Sequence, residues 1–183
     1  MRRALPDTVF TDAHQPFGYY LMKCPGAVTF AFIRDPWERT HSWWRHQNYC
    51  KTETFRDYVM RRALDETYVH GKWNMGWRIN DQYQWICHED RYVDHIGRFE
   101  NMAQDFSRIV DALDIELTEP LQHRNKSIRR ETHSYNPEVW DSEMVAHMDP
   151  LFRPFAEEFG YLPPDDWGRS TKLMNEKHLD SQS

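Results

Sequence analysis

Apolar and polar residues fall in blocks along this chain, and the spacing inside each block predicts its backbone. Ala27 to Ile33 (AVTFAFI) is almost wholly apolar, as expected of a parallel strand buried on both faces. The run stops at Arg34-Asp35-Pro36. Pro36 suits the first helical position and Asp35 the N-cap, so Trp37 to about Tyr49 reads as helix. Upstream, Thr8 to Phe10 reads as a short strand leading to His14. Gly18 to Met22 is ambiguous, a turn of helix being one option, and Pro25-Gly26 is a break.

Phe55, Tyr58, Val59 and Arg62-Ala63 recur at helical spacing and predict a helix over Thr54 to Tyr68. Gly71 to Gly76 reads as loop, Ile79 to Cys87 as a short helix, and Tyr92 to Phe99 as a strand. Met102, Phe106, Ile109-Val110 and Leu113 form one stripe of an amphipathic helix. Leu121 to Tyr135 has no clean period and reads as a polar, basic loop. Pro137 opens a predicted helix to about His147, and Asp149-Pro150 starts another ending near Phe159-Gly160. Strands alternating with helices predict a three-layer α/β fold with a mainly parallel sheet. A single domain is expected over 1–164, with a polar, frayed tail over 165–183.

Composition narrows the function classes. The 183 residues are 39% hydrophobic and 28% charged, a globular balance, and aromatics at 15% with eight Trp mean that much of the burial is aromatic. A net charge of -6 argues against broad attraction to nucleic acid but leaves room for a local basic pocket. Cys24, Cys50 and Cys87 have no CxxC or zinc spacing and read as free thiols, and the histidines lack a metal-ligand spacing such as HExxH. The first residues have two arginines but no apolar signal region, and no window is long and apolar enough for a membrane span. The default expectation is therefore cytoplasmic.

The junction Phe30 to Trp44 (FAFIRDPWERTHSWW) carries the candidate chemistry. In open α/β sheets ligands collect at the carboxyl ends of strands, where the N–H groups of the next helix favour an anion. Arg34 stands at such an end, and Arg39 and Ser42 share one face of the following helix. Two guanidiniums and a hydroxyl suit a phosphate, although an arginine at a strand end also pairs readily with a carboxylate.

Arg34-Asp35-Pro36-Trp37-Glu38-Arg39 followed by Ser42 resembles the 3′-phosphate-binding signature of sulfotransferases that use 3′-phosphoadenosine 5′-phosphosulfate (PAPS). Asp94 to Phe106 (DHIGRFENMAQDF) and Leu121 to Ser127 (LQHRNKS) resemble two further segments of the carbohydrate branch, which includes the uronyl 2-O-sulfotransferases. The resemblance covers roughly Asp12 to Tyr161 and implies a three-layer, P-loop-like fold with PAPS as sulfuryl donor. It implies that Arg34 and Ser42 bind the 3′-phosphate, while Arg39 belongs to the same motif or braces the turn through Asp35 or Glu100. Glu100 and Asn101 are expected to serve structure. The segment holding His123, Asn125, Lys126, Ser127 and Arg129 is expected to close over the nucleotide.

A sugar hydroxyl is a poor nucleophile at neutral pH, so a general base is needed. His14 stands twenty residues before Arg34, a place comparable to the histidine of the related 2-O-sulfotransferases. The acceptor implied is a carbohydrate, with polysaccharides included. Trp73, Trp77, Tyr83 and Trp85, interleaved with Arg78, Asn80 and Gln82, suit either a core or the stacking of sugar rings. Family members begin with a strand and a lysine-containing loop for the 5′-phosphosulfate. MRRALPDTVFTDA, before His14, has neither lysine nor glycine. The expectation is thus a fold missing its first strand, as a fragment (Golgi lumen for a eukaryotic relative), as a chain whose partner supplies the element, or as a noncatalytic nucleotide- or glycan-binding homologue.

Overall fold

A computed structural model of the chain describes residues 15–70, 73–116 and 139–164. They form two compact units. One holds 15–34 and 82–116, with His70 and Trp73; the other holds 35–69, 74–81 and 139–164.

The first unit opens with α1 (Phe17–Lys23), which ends at Cys24 before Gly26 turns the chain at φ 87. Next comes β1 (Phe30–Ile33), paired in parallel with β6 (His95–Arg98), Phe30 opposite His95 and Ile33 opposite Arg98. The strand is shorter than the apolar run Ala27 to Ile33, and it is not buried on both faces: Val28 is 59% and Phe30 48% exposed. Thr29 ties the strand starts together, its N–H and its hydroxyl both donating to Asp94 Oδ2 at 2.8 Å. Those bonds hold the Asp94 carboxyl below the usual carboxylate range.

The predicted helix over Ile79 to Cys87 contracts to α4 (Tyr83–Ile86). The predicted strand from Tyr92 to Phe99 divides. β5 (Arg91–Tyr92) pairs antiparallel with β4 (Cys87–His88) around Glu89-Asp90, both at positive φ, and the chain then bends at Asp94 before β6. α5 (Met102–Ala112) follows as expected, with Ile109 and Val110 buried on its stripe. Gly97 answers a close approach. A Cβ there would lie 2.4 Å from Cε1 of Phe32, the residue opposite it on β1.

In the second unit α2 (Pro36–His46) starts where the sequence predicts, with the Asp35 side chain accepting from the Glu38 N–H at 3.0 Å. Trp37, 1% exposed, packs edge-on against Phe152 with ring centres 5.6 Å apart. α3 (Phe55–Tyr58) runs into a π-turn over Val59–Ala63 and stops, well short of Tyr68. Instead Thr67–His70 forms β2 and Trp73–Arg78 forms β3, which overturns the longer helix and, from Trp73 on, the loop expected from Gly71 to Gly76, whose first two residues lie outside the described ones.

The Glu66 carboxylate explains the stop. It accepts from Tyr58 Oη at 2.5 Å, Tyr49 Oη at 2.8 Å and Trp43 Nε1 at 3.2 Å, while its carbonyl accepts from the Ile79 N–H at 2.7 Å. A side chain tied this way fixes the backbone, and β-branched Thr67 and Val69 then favour strand.

α6 (Ser142–Phe159) also corrects the sequence reading. It starts at an Asp141 cap, the expected start at Pro137 lying outside the described residues, and it passes through Pro150 and Pro154 without ending. An interior proline costs about 3 kcal/mol. Met144, Val145, Met148, Phe152, Phe155 and Ala156 lie buried on either side of the prolines, and that burial outweighs the loss. The helix ends, as expected, at Gly160 with φ 67.

The described strands thus make three two-stranded sheets, of which β1–β6 is a small parallel one. The mainly parallel sheet expected from the alternation of elements is not what these strands form, because the second unit's strands pair with each other. No described helix is long and apolar enough to cross a membrane.

Candidate functional site

In the first unit the site is built on the carboxyl end of β1. Along a parallel ladder, successive residues aim their N–H and C=O groups to opposite neighbours. The Thr29 carbonyl accepts from the His95 N–H at 3.0 Å, so Thr29, Ala31 and Ile33 point to β6. Phe30, Phe32 and Arg34 therefore point to the other edge.

At Arg34 that edge is satisfied by a side chain. The Arg34 N–H donates to Gln82 Oε1 at 3.0 Å, and Gln82 Nε2 donates to the Arg34 carbonyl at 2.6 Å. One amide thus does what a residue of a neighbouring strand would do. Gln82 is 6% exposed, so the two bonds are shielded from water. The Arg34 guanidinium lies 4.7 Å from the ring centre of Phe99, in cation–π contact. On β6, the Arg98 N–H donates to Asp105 Oδ2 at 2.7 Å, and Arg108 Nη2 donates to the Ile96 carbonyl at 2.9 Å. These bonds fix α5 to the strand.

In the second unit, Asp35 and Pro36 set the first turn of α2, and a helix start of this kind favours an anion. Thr40, fully buried, returns its hydroxyl to the Pro36 carbonyl at 2.8 Å. Arg39 donates through Nη1 to the Ile79 carbonyl at 2.5 Å, so one end of that guanidinium braces the backbone beyond β3. Ser42, one turn further along α2, is half-buried, and its hydroxyl has no hydrogen-bond partner among the described residues. Arg34 closes the first unit and Arg39 and Ser42 belong to the second.

The model of the sulfotransferase family matches residues 20–159, which takes in this junction and the Gly97-Arg98-Phe99-Glu100-Asn101 segment. The chain belongs to the sulfotransferase family. No curated protein and no solved structure gives a significant match.

In this sulfotransferase the other sequence-derived candidates fall outside the described residues: His14, and Asn125, Lys126, Ser127 and Arg129 with the segment around them. Of the aromatic group, the side chains of Trp73 and Trp77 are likewise outside the description. The interleaved amides have structural partners: Asn80 Nδ2 donates to the Ala63 carbonyl at 2.8 Å, and Gln82 holds Arg34. Trp85 lines a cavity of about 520 Å³ with Phe17, Tyr20, Val28 and Phe30, at the amino end of β1 and away from Arg34. Sequence reasoning grouped Gln82 with sugar contacts, since a partner 48 positions away leaves no local signal. Asp105 was findable, being an acid in the first turn of a predicted helix.

Proposed function

We propose that this sulfotransferase moves a sulfuryl group from PAPS to a hydroxyl of a carbohydrate acceptor. The observation that carries the reading is Arg34, held at the carboxyl end of a parallel strand and followed in the chain by a capped helix start, in a member of this family. Ser42 is the hydroxyl of the same sequence motif, and it has no hydrogen-bond partner among the described residues. These residues suit the 3′-phosphate half of the donor.

When bound, the donor supplies an activated sulfuryl group on a phosphate leaving group. The chain's own work is positional and electrostatic. Arg34 and Ser42 bind and orient the 3′-phosphate. Arg39 shares the motif and ties its helix to the Ile79 backbone beyond β3. Asn125, Lys126, Ser127 and Arg129 supply donors over the nucleotide, and His14 accepts the proton of the attacking hydroxyl. In-line transfer needs no further covalent chemistry from the protein.

Isothermal titration with adenosine 3′,5′-bisphosphate, followed by transfer of radiolabelled sulfate to a glycan panel, tests the reading. Saturable nucleotide binding with transfer is the expected result. Binding without transfer to any glycan would make the chain a nucleotide-binding homologue, and the absence of both would sink the proposal.

A further inference from the structure

Arg34 is held from two sides by residues to which no function is attached. Its peptide groups face the edge of β1 that β6 does not occupy, and the Gln82 amide meets both of them, at 3.0 and 2.6 Å. Its guanidinium rests on Phe99, 4.7 Å from the ring centre. Phe99 is 48% exposed, and the guanidinium lies over the face of its ring. The residue just past the end of a strand normally frays, and a long arginine side chain retains many rotamers. Here both freedoms are removed before any ligand arrives.

We infer that Gln82 and Phe99 are the positioning residues of the anion site, Gln82 setting the backbone and Phe99 the guanidinium of Arg34. This rests on the reading of Arg34 as a phosphate ligand. Neither residue touches the nucleotide in this account. Each acts through Arg34, by reducing the order that binding must impose. Gln82 also completes the edge of the strand where a further strand would otherwise pair, so the end of β1 is defined by one side chain.

The test combines affinity, pH and hydrogen exchange on the full chain. Q82L removes both bonds at similar bulk and is expected to weaken adenosine 3′,5′-bisphosphate binding about tenfold or more. Q82E keeps the acceptor for the Arg34 N–H, but when ionised it has no proton for the carbonyl. Its deficit against wild type at the same pH should therefore shrink as pH falls from about 8 to about 4, through the ordinary glutamate value of about 4.3, as the acid regains its proton. The Q82L deficit should stay constant over that range. F99L should weaken binding a few fold, and F99Y should restore it.

The inference is overturned if folded Q82L binds within about twofold of wild type, or if the Q82E deficit ignores pH. A wild-type chain that fails to bind the nucleotide sinks the functional reading itself, and the positioning role with it. Exchange of the Arg34 amide needs no ligand and separates the cases. Protection in wild type and its loss in Q82L establish the clamp; equal exchange in the two refutes it.

Discussion

Gly97 sits in the segment shared with the family, and its substitution is the sharpest test of how β1 and β6 fit together. A Cβ added there would lie 2.4, 2.8 and 3.0 Å from three ring atoms of Phe32. Carbon atoms in contact prefer about 3.5–4.0 Å, so the ring must move by about 1 Å. It has rings on two sides, Phe30 at 6.4 Å and Phe106 at 6.5 Å between centres, and the backbone beneath it is laddered to Gly97 itself. Overpacking of this kind costs about 1–3 kcal/mol, of which an off-rotamer Phe32 accounts for about 0.5–1.5. G97A should lower the unfolding free energy by about 2 kcal/mol in urea titration followed by tryptophan fluorescence. If the ring is the cause, the same change in an F32L background should cost much less, giving a coupling of about 1–2 kcal/mol in the double-mutant cycle. A cycle additive to within about 0.5 kcal/mol would refute the steric account, since distant, independent sites add in that way.

For the site, R34A should weaken adenosine 3′,5′-bisphosphate binding about 10- to 100-fold and S42A about 2- to 10-fold, read by titration calorimetry. H14A should abolish sulfuryl transfer while nucleotide affinity stays near wild type; transfer at a near wild-type rate would dismiss the base assignment. D35A removes the cap on the Glu38 N–H and should cost about 0.5–2 kcal/mol in chemical denaturation, with D35N recovering most of it. The phenols of Tyr49 and Tyr58 are raised above the ordinary tyrosine value, chiefly by burial and then by the hydrogen bond to Glu66. The unfolded chain ionises first, so their contribution to stability is complete below about pH 10 and is lost as pH climbs through the raised values. Phenolate absorbance of the folded protein should lag that of the unfolded protein over the same range.

What the sequence made legible was local. Asp35 before Pro36 marks the start of α2, Gly160 marks the end of α6, and the Met102–Leu113 stripe marks α5, because each signal lies within a few residues of its effect. The misreadings share the opposite property. The helix from Thr54 to Tyr68 was cut short by a Glu66 carboxylate serving Trp43 and Tyr49, far upstream. The expected break at Asp149-Pro150 gave way to a buried face contributed by the whole length of α6. For the site, Arg34 was visible as a strand-end arginine, whereas Gln82 was not, since an amide reads the same in sequence whether it clamps a backbone or faces water.

That contrast bears on how an anion site is made from a flexible residue. A free arginine side chain carries about 2 kcal/mol of rotamer entropy, and a fraying strand end adds about 1–2 kcal/mol of backbone freedom. Losing both at the moment of binding would cost about 3–4 kcal/mol, as much as or more than the about 1.5–3 kcal/mol that a charge-assisted hydrogen bond contributes. The Gln82 bonds and the Phe99 ring remove much of that loss during folding. On the proposed reading of Arg34, a strand-end arginine without such supports would carry the same charge and bind a phosphate more weakly, so sequence motifs that name the arginine alone would describe half of such a site.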